Sequence, residues 1–317
     1  GSAFADHPLA LGIPVLGKTC CVIHISKHAQ CDIPLLISMR SASKSADDDG
    51  RYKHIQLIYH VESGARFSVV ENSELSLGSS FRATSSYVFV GENARVDRMR
   101  IENGGQAAKG INFSWVKQSA NSRYSTSDLL LGGRVVRQEM QVQHLGEGCH
   151  TVMNGISLIA SDEHMDNRTQ LDHLQPNCTS DEVYKTILSG SGKGVFNGKI
   201  FVHSRAQKTD AKQSNQSLLL SGRADMNAKP QLEIFADDVK CTHGATIGEL
   251  DEDGLYYLQC RGIDRQTAQM MLTRAYVFDL FEDMCTSVSL SDTHRLRLSD
   301  VVDHKISALL AEGDSAA

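Results

Sequence analysis

A turn signal recurring at a near-constant interval constrains this chain more than any single motif. Ser63-Gly64-Ala65-Arg66-Phe67, Gly91-Glu92-Asn93-Ala94-Arg95-Val96 and Gly146-Glu147-Gly148-Cys149-His150-Thr151 align as one pattern. Gly64 and Gly91 lie 27 residues apart and Gly91 and Gly146 lie 55 apart, with Gln118-Ser119-Ala120-Asn121-Ser122-Arg123 near the midpoint of the longer gap. Between the turns run short β-rich segments such as Ile55-Gln56-Leu57-Ile58-Tyr59, Tyr87-Val88-Phe89-Val90 and Lys199-Ile200-Phe201-Val202-His203. Their branched and aromatic side chains suit a pleated surface. A fixed period is the signature of stacked repeats, and this one fits a coil of a β-solenoid, whose strands pair with those of the coils above and below. A β-sandwich also spaces short strands by turns, and the period favours the solenoid.

The texture changes near residue 250. Asp251-Glu252-Asp253 predicts a helix start, Leu255, Tyr256 and Leu258 follow, and Gly262 is placed to close the helix in a left-handed cap. Asp264 predicts a second N-cap, with Ala268, Met271, Leu272, Ala275 and Phe278 as the apolar stripe, while Arg265, Gln269, Arg274 and Glu282 are left for a partner. A third helix is predicted from Asp292 to about Glu312 on the stripe Leu298, Val301, Val302, Ile306 and Leu309. The chain therefore divides into a β-helix core over residues 1–250 and a helical segment over 251–317. The helices are expected to cap the last coil, because an uncovered terminal strand invites aggregation. The polar stretch Ser41 to Gly50 is expected to be an exposed loop.

Composition removes several function classes. Apolar residues at 41% and charged residues at 22% are ordinary for a soluble globular protein. A net charge of −6 without a basic run offers no footprint for nucleic acid or an anionic membrane. No stretch approaches the roughly 18 apolar residues of a membrane span. The eight cysteines form no CxxC, and a chain of this length needs no disulfide framework, so reduced thiols in a cytoplasmic setting are expected. The chain opens almost directly into strand-like sequence, as a piece of a longer protein would.

Ser189-Gly190-Ser191-Gly192-Lys193-Gly194 suggests a phosphate loop, but GxxxxGK[ST] requires Gly at 187 and Ser or Thr at 194, where the chain has Ile187 and Gly194. It reads as a turn. His164, Asp166, Asp172, His173 and Cys178 offer a donor mix suited to Zn or Fe, without a recognised ligand spacing. No GxSxG or HExxH is present, and no catalytic residue is assigned. If Val239 to His243 is a strand, Cys241 and His243 project from one face. A thiolate beside an imidazole can bind iron or accept sulfur, whereas a small buried cysteine with a satisfied histidine is the plainer reading.

The run from Asn227 to Gly248, including Cys241-Thr242-His243-Gly244-Ala245-Thr246, and the later Leu255-Tyr256-Tyr257-Leu258 and Arg261-Gly262-Ile263 resemble the C-terminal signature of the SufB/SufD family of iron–sulfur cluster assembly proteins. The likeness extends back through Gly194-Val195-Phe196-Asn197-Gly198-Lys199 and Ala206-Gln207-Lys208-Thr209-Asp210-Ala211, and the Cys-Thr-His string is similar to the SufD branch. The resemblance implies a right-handed parallel β-helix with a C-terminal helical segment. It implies a non-catalytic scaffold paired with a SufB-type subunit, a SufC-type ATPase docked on the C-terminal helices, and ATP hydrolysis in that partner. It places His243 with Cys241 at the subunit interface, as candidate ligands for iron or a transient iron–sulfur cluster, with no cofactor held stably by this chain alone. Isolated chains are then expected to homodimerise through the open end. The implied compartment is the cytoplasm, or the plastid stroma for a plant or algal source. The rivals are a β-helix carbohydrate-active enzyme, needing acidic or basic groups in a lateral cleft, and a self-assembling structural protein.

Overall fold

The computed structural model describes residues 19–40, 52–75 and 81–316; the predicted Ser41–Gly50 loop lies outside them. The described strands begin with β1 (Thr19–Ile25), β2 (Leu35–Arg40), β3 (Tyr52–Val61), β4 (Arg66–Leu75), β5 (Phe81–Val90) and β6 (Arg95–Gly104). They continue through β7 (Lys109–Gln118), β8 (Arg123–Gly132), β9 (Val135–His144), β10 (His150–Ile159) and β11 (His164–His173). The last are β12 (Thr179–Leu188), β13 (Lys193–Val202), β14 (Asp210–Leu219), β15 (Asp225–Ile234) and β16 (Lys240–Glu249). Odd-numbered strands stack in one parallel eight-stranded sheet and even-numbered strands in another, so the chain alternates between two faces as it climbs. This is the β-helix that the period predicts. Cα partners in successive coils, such as His150 and Thr179, lie 29 residues apart.

The recurring turn has a conformational cause. At all but the last of the odd-to-even corners among the described residues one residue adopts positive φ, in succession His28, Gly64, Asn93, Asn121, Gly148, Asn177 and Lys208. Glycine and asparagine tolerate that region best, which is why they punctuate the sequence. The residue that follows turns inward, and Ala65, Ala94, Ser122, Cys149, Cys178 and Thr209 are all buried in a column down the corner.

Three helices complete the chain, α1 (Glu252–Gln259), α2 (Arg265–Ser287) and α3 (Asp292–Ala316). Asp251 caps α1 by accepting from the Asp253 amide, Asp264 caps α2 through Thr267, and Gly262 has φ +82°, as the sequence predicts. Two expectations fail. The helices do not cap the last coil; α2 lies across β6, β8 and β10, and α3 packs on α2 and β10. The reason is an inverted alternation in the even strands. Along β6, the inward positions are Arg98, Arg100 and Glu102, while Met99 and Ile101 face out. Together with Leu129, Leu131, Ile156, Leu158 and Ile187 they form an outward apolar face that the helices cover. The predicted α2 stripe is displaced beyond its first turn: Ala268 is buried as expected, but Met271 and Phe278 are 47% and 38% exposed, and Val277, Leu280, Phe281 and Met284 are buried instead. The buried set continues unbroken to Cys285, so the longer apolar face wins the sheet.

Candidate functional site

β16 positions the two candidate side chains. It is the terminal strand of its sheet and pairs only with β14, with Cys241 opposite Ala211 and His243 opposite Gln213. Two residues apart on one strand, both take the inward parity. Cys241 is half-buried against the apolar cluster of Ile200, Val202, Ala206 and Ala211, and burial raises its thiol pKa. His243 is exposed. Behind it the same column continues through Gln213 to Glu182, with Gln213 Nε2 donating to Glu182 Oε2 at 2.7 Å and Thr169 Oγ1 donating to Oε1 at 2.5 Å. Burial pushes the Glu182 carboxyl up to about 7 in spite of these two donors. Gln213 Oε1 has no protein partner, which leaves one buried acceptor in the row next to His243.

Two donors fall short of the four that a tetrahedral metal takes. Among the described residues, groups of three or more candidate ligands gather elsewhere, at His144, His173 and Cys178 and at His24, His60 and Glu62. Cys241 and His243 alone therefore do not make a metal centre in this chain.

The sequence-level donor group around residue 170 separates. Asp166 binds Arg137 and Arg168, and Asp172 accepts from the side-chain amides of Gln141, Gln143 and Gln170. Only His173 and Cys178 turn inward together, joined by His144. The glycine-rich segment is a turn between β12 and β13: Gly190 has φ +58°, a Cβ there would lie 1.8 Å from Ser161 Oγ, and Ser189 Oγ donates to the Leu309 carbonyl of α3.

Residues 43–276 match the profile of the SUF system FeS cluster assembly, SufBD core domain. This chain belongs to the SufBD family. It is 32% identical over 263 residues to the iron–sulfur cluster assembly protein SufD of Escherichia coli K12, covering 82% of this chain and 62% of that protein. It is 32% identical over 266 residues to protein ABCI7, chloroplastic, of Arabidopsis thaliana, covering 82% of this chain and 56% of that one. A Synechocystis SufBD family protein matches at 31% over 204 residues, 64% of this chain and 45% of the relative. The chain thus spans little more than half the length of the first two.

Within this SufBD β-helix, sequence reasoning missed the charged interior. Glu71 accepts from Arg98, Arg100 and Tyr59 at 2.7–2.9 Å, and the guanidinium groups also reach Ser86, Ser114 and Gln138. Burial alone would raise the Glu71 carboxyl, but the two guanidinium charges and the hydrogen bonds from Arg98 and Tyr59 hold it down to about 2. The available signal was Arg98-Met99-Arg100-Ile101-Glu102, an alternation that names two faces without saying which one is inside. A groove of about 290 Å³ on the odd sheet is lined by Gln141, Arg168, Gln170, Lys199 and Gln231, with Glu139 as its carboxylate.

Proposed function

We propose that this SufBD-family chain is a SufD-like scaffold subunit. It pairs with a SufB-type subunit along the free edge of β16, with Cys241 and His243 at the junction and iron or a nascent cluster held there as cargo, not as a resident cofactor. The observation that carries this reading is the half-complete donor set, one thiol and one imidazole on the inward face of a strand whose other edge is unpaired. Strand addition would supply both the missing backbone partners and the missing ligands. The lateral groove supports a scaffold over a hydrolase: Glu139 is its carboxylate and is ion-paired to Arg137 at 3.0 Å, whereas glycoside hydrolysis uses two such groups.

A SufC-type ATPase would dock on the C-terminal helices and supply the hydrolysis. The charged residues that the sequence left for it are mostly engaged: Arg265 pairs with Glu252, Arg274 with Asp303, and Glu282 with Arg295. The exposed Tyr256, Tyr257, Met271 and Phe278 offer the better docking surface. The compartment would be the cytoplasm, or the plastid stroma in a plant or alga. No described helix is long and apolar enough to cross a membrane.

The test is co-purification with tagged SufB- and SufC-type proteins, followed by cluster maturation with wild type and His243→Ala. Loss of maturation at an unchanged melting temperature supports the junction role. Normal maturation with a lowered melting temperature removes His243 from the site. Phe278→Ala with Tyr256→Ala should weaken ATPase co-elution without unfolding the chain. Deleting the helices would instead bare the apolar face of β6 to β10.

A further inference from the structure

The corner between odd and even strands is filled by small or apolar side chains in most coils. Val61 with Ala65 and Val90 with Ala94 occupy it early, and Val202 occupies the strand-end position later, all buried. Gln118 and Ser122 make the corner polar in one coil, and in the next two it holds imidazoles and thiols. His144 and His173 end β9 and β11, Cys149 and Cys178 precede β10 and β12, and all four are fully buried. Imidazoles and thiols are poor space-fillers for an apolar corner, because their polar atoms must find partners.

Their arrangement is specific. His144 Nδ1 and His173 Nδ1 face each other at 3.1 Å, with ring centroids 4.5 Å apart and planes perpendicular. One donor atom from each of His144, His173 and Cys178 lies within 4.8 Å of the others. Ligand bonds of about 2.0–2.1 Å to nitrogen on a tetrahedral ion bring two nitrogens to roughly 3.3 Å, so the imidazole pair already has close to the required separation.

The surrounding hydrogen bonds fix the protonation. Gln118 Nε2 donates to the carbonyls of Ser122 and His150, which leaves its Oε1 as an acceptor. Thr151 Oγ1 spends its proton on that oxygen at 2.5 Å and must therefore accept from His144 Nε2 at 2.7 Å. His144 then carries its proton on Nε2 and presents a bare lone pair at Nδ1, toward His173 and the thiols. His173 then donates from Nδ1 to that lone pair, and its Nε2 accepts from Ser180 Oγ at 3.1 Å, so an ion between the rings replaces one proton of this contact. A hydroxyl behind each ring orients it as the outer partners of metal-bound histidines do.

We propose that His144, His173 and Cys178 bind one thiophilic divalent transition-metal ion, zinc or ferrous iron, inside the β-helix, with Cys149 as the positioning thiol beside them. Both rings are fully buried, so the site is closed to competing water. Cys149 Sγ donates to the Ser119 and Gly146 carbonyls at 3.2 Å, which holds it beside Cys178. Binding the ion displaces the Cys178 thiol proton to solvent and gives a three-donor N2S set, softer than an all-oxygen site would offer. The site is independent of β16 and of the subunit pairing proposed above.

The experiment uses the whole chain, expressed in medium supplemented with zinc and iron and measured by elemental analysis. About one ion per chain is expected, the element deciding between zinc and iron. Refolding wild type with Co²⁺ should give the intense visible bands of a tetrahedral site together with sulfur-to-cobalt charge transfer, a readout that needs no variant. Cys178→Ser should lose the charge-transfer band and most of the bound metal. Thr151→Val, which removes only the acceptor behind His144, should weaken metal affinity about 10–100-fold. His24→Ala, at the exposed His24–His60–Glu62 group, should leave the ion in place. Metal-free wild type that takes up no cobalt on refolding, or metal content unchanged in Cys178→Ser, overturns the proposal.

Discussion

Glu71→Gln should be among the most damaging single-atom changes in the molecule, although it lies far from β16. The wild-type carboxylate is fully buried and accepts from Arg98 Nε at 2.7 Å, Arg98 Nη2 and Arg100 Nη2 at 2.9 Å, and Tyr59 Oη at 2.7 Å. The amide keeps the shape but removes the one carboxylate that, among the described residues, pairs with both guanidinium groups. Breaking a buried pair by deleting one partner costs about 3–5 kcal/mol, because the remaining charge stays desolvated. Titration gives a second measure. A carboxyl held at about 2 against an ordinary 4.5 contributes about 3 kcal/mol to stability at neutral pH. Its folded pKa is depressed, so the contribution is complete above about pH 4.5 and disappears as the pH falls toward 2. Urea unfolding of wild type and Glu71→Gln from pH 7 to 3 tests both numbers: the variant should be weaker by several kcal/mol at pH 7 and should lose less on acidification. If it does not fold, Tyr59→Phe removes one hydrogen bond for about 0.5–1.5 kcal/mol and keeps the charges. A loss below about 1 kcal/mol in Glu71→Gln, with the acid limb unchanged, would refute the reasoning.

The Glu182 carboxyl has a raised folded pKa, so it costs stability as the pH climbs from about 4.5 through 7; Glu182→Gln should flatten that decline in pH-dependent denaturation. Lys208 occupies a left-handed corner that glycine and asparagine fill in earlier coils, and Lys208→Asn should stabilise by up to about 1 kcal/mol in the same assay. Without a partner the chain should self-associate through β16, and Ile247→Lys on that exposed strand should shift sedimentation toward monomer; a concentration-independent monomer in the wild type would contradict the edge argument.

The β-helix was legible because its cause is local: a left-handed residue recurs at successive odd-to-even corners, and Gly64, Asn93, Asn121 and Gly148 announce it. The helix caps were legible for the same reason, Asp251 and Asp264 acting within a few residues of themselves. What escaped depends on which side of a strand is inside. Alternation in Arg98 to Glu102 fixes two faces but not their orientation, and only the coil around β6 decides that the charges go in and the apolar side chains meet α2. The α2 stripe was misplaced by the same ambiguity. His173 and Cys178 were noticed as donors, but the sequence distance to His144 and Cys149 hid the fact that one coil brings all four to a single corner.

That ambiguity also bears on why β16 suits a partner. The even strands from β6 to β10 are buried on both faces, by the coil interior on one side and by α2 and α3 on the other. Beyond the reach of the helices the outward face must be soluble by itself, and on β14 it is, with Lys212, Ser214 and Gln216 at alternate positions. β16 departs from this. Its outward positions after Lys240 are Thr242, Gly244, Thr246 and Gly248, small residues, and a Cβ at either glycine would meet nothing within 4 Å. An edge that must stay single is ordinarily guarded by inward charges, proline or a bulge. β16 has charges at its two ends, Lys240 and Glu249, and neither charge nor proline over the eight residues between them, where its inward face presents Cys241, His243 and the exposed Ile247. An edge uncharged over its middle is costly to leave open, and in the proposed pairing a partner strand would remove that cost beside Cys241 and His243.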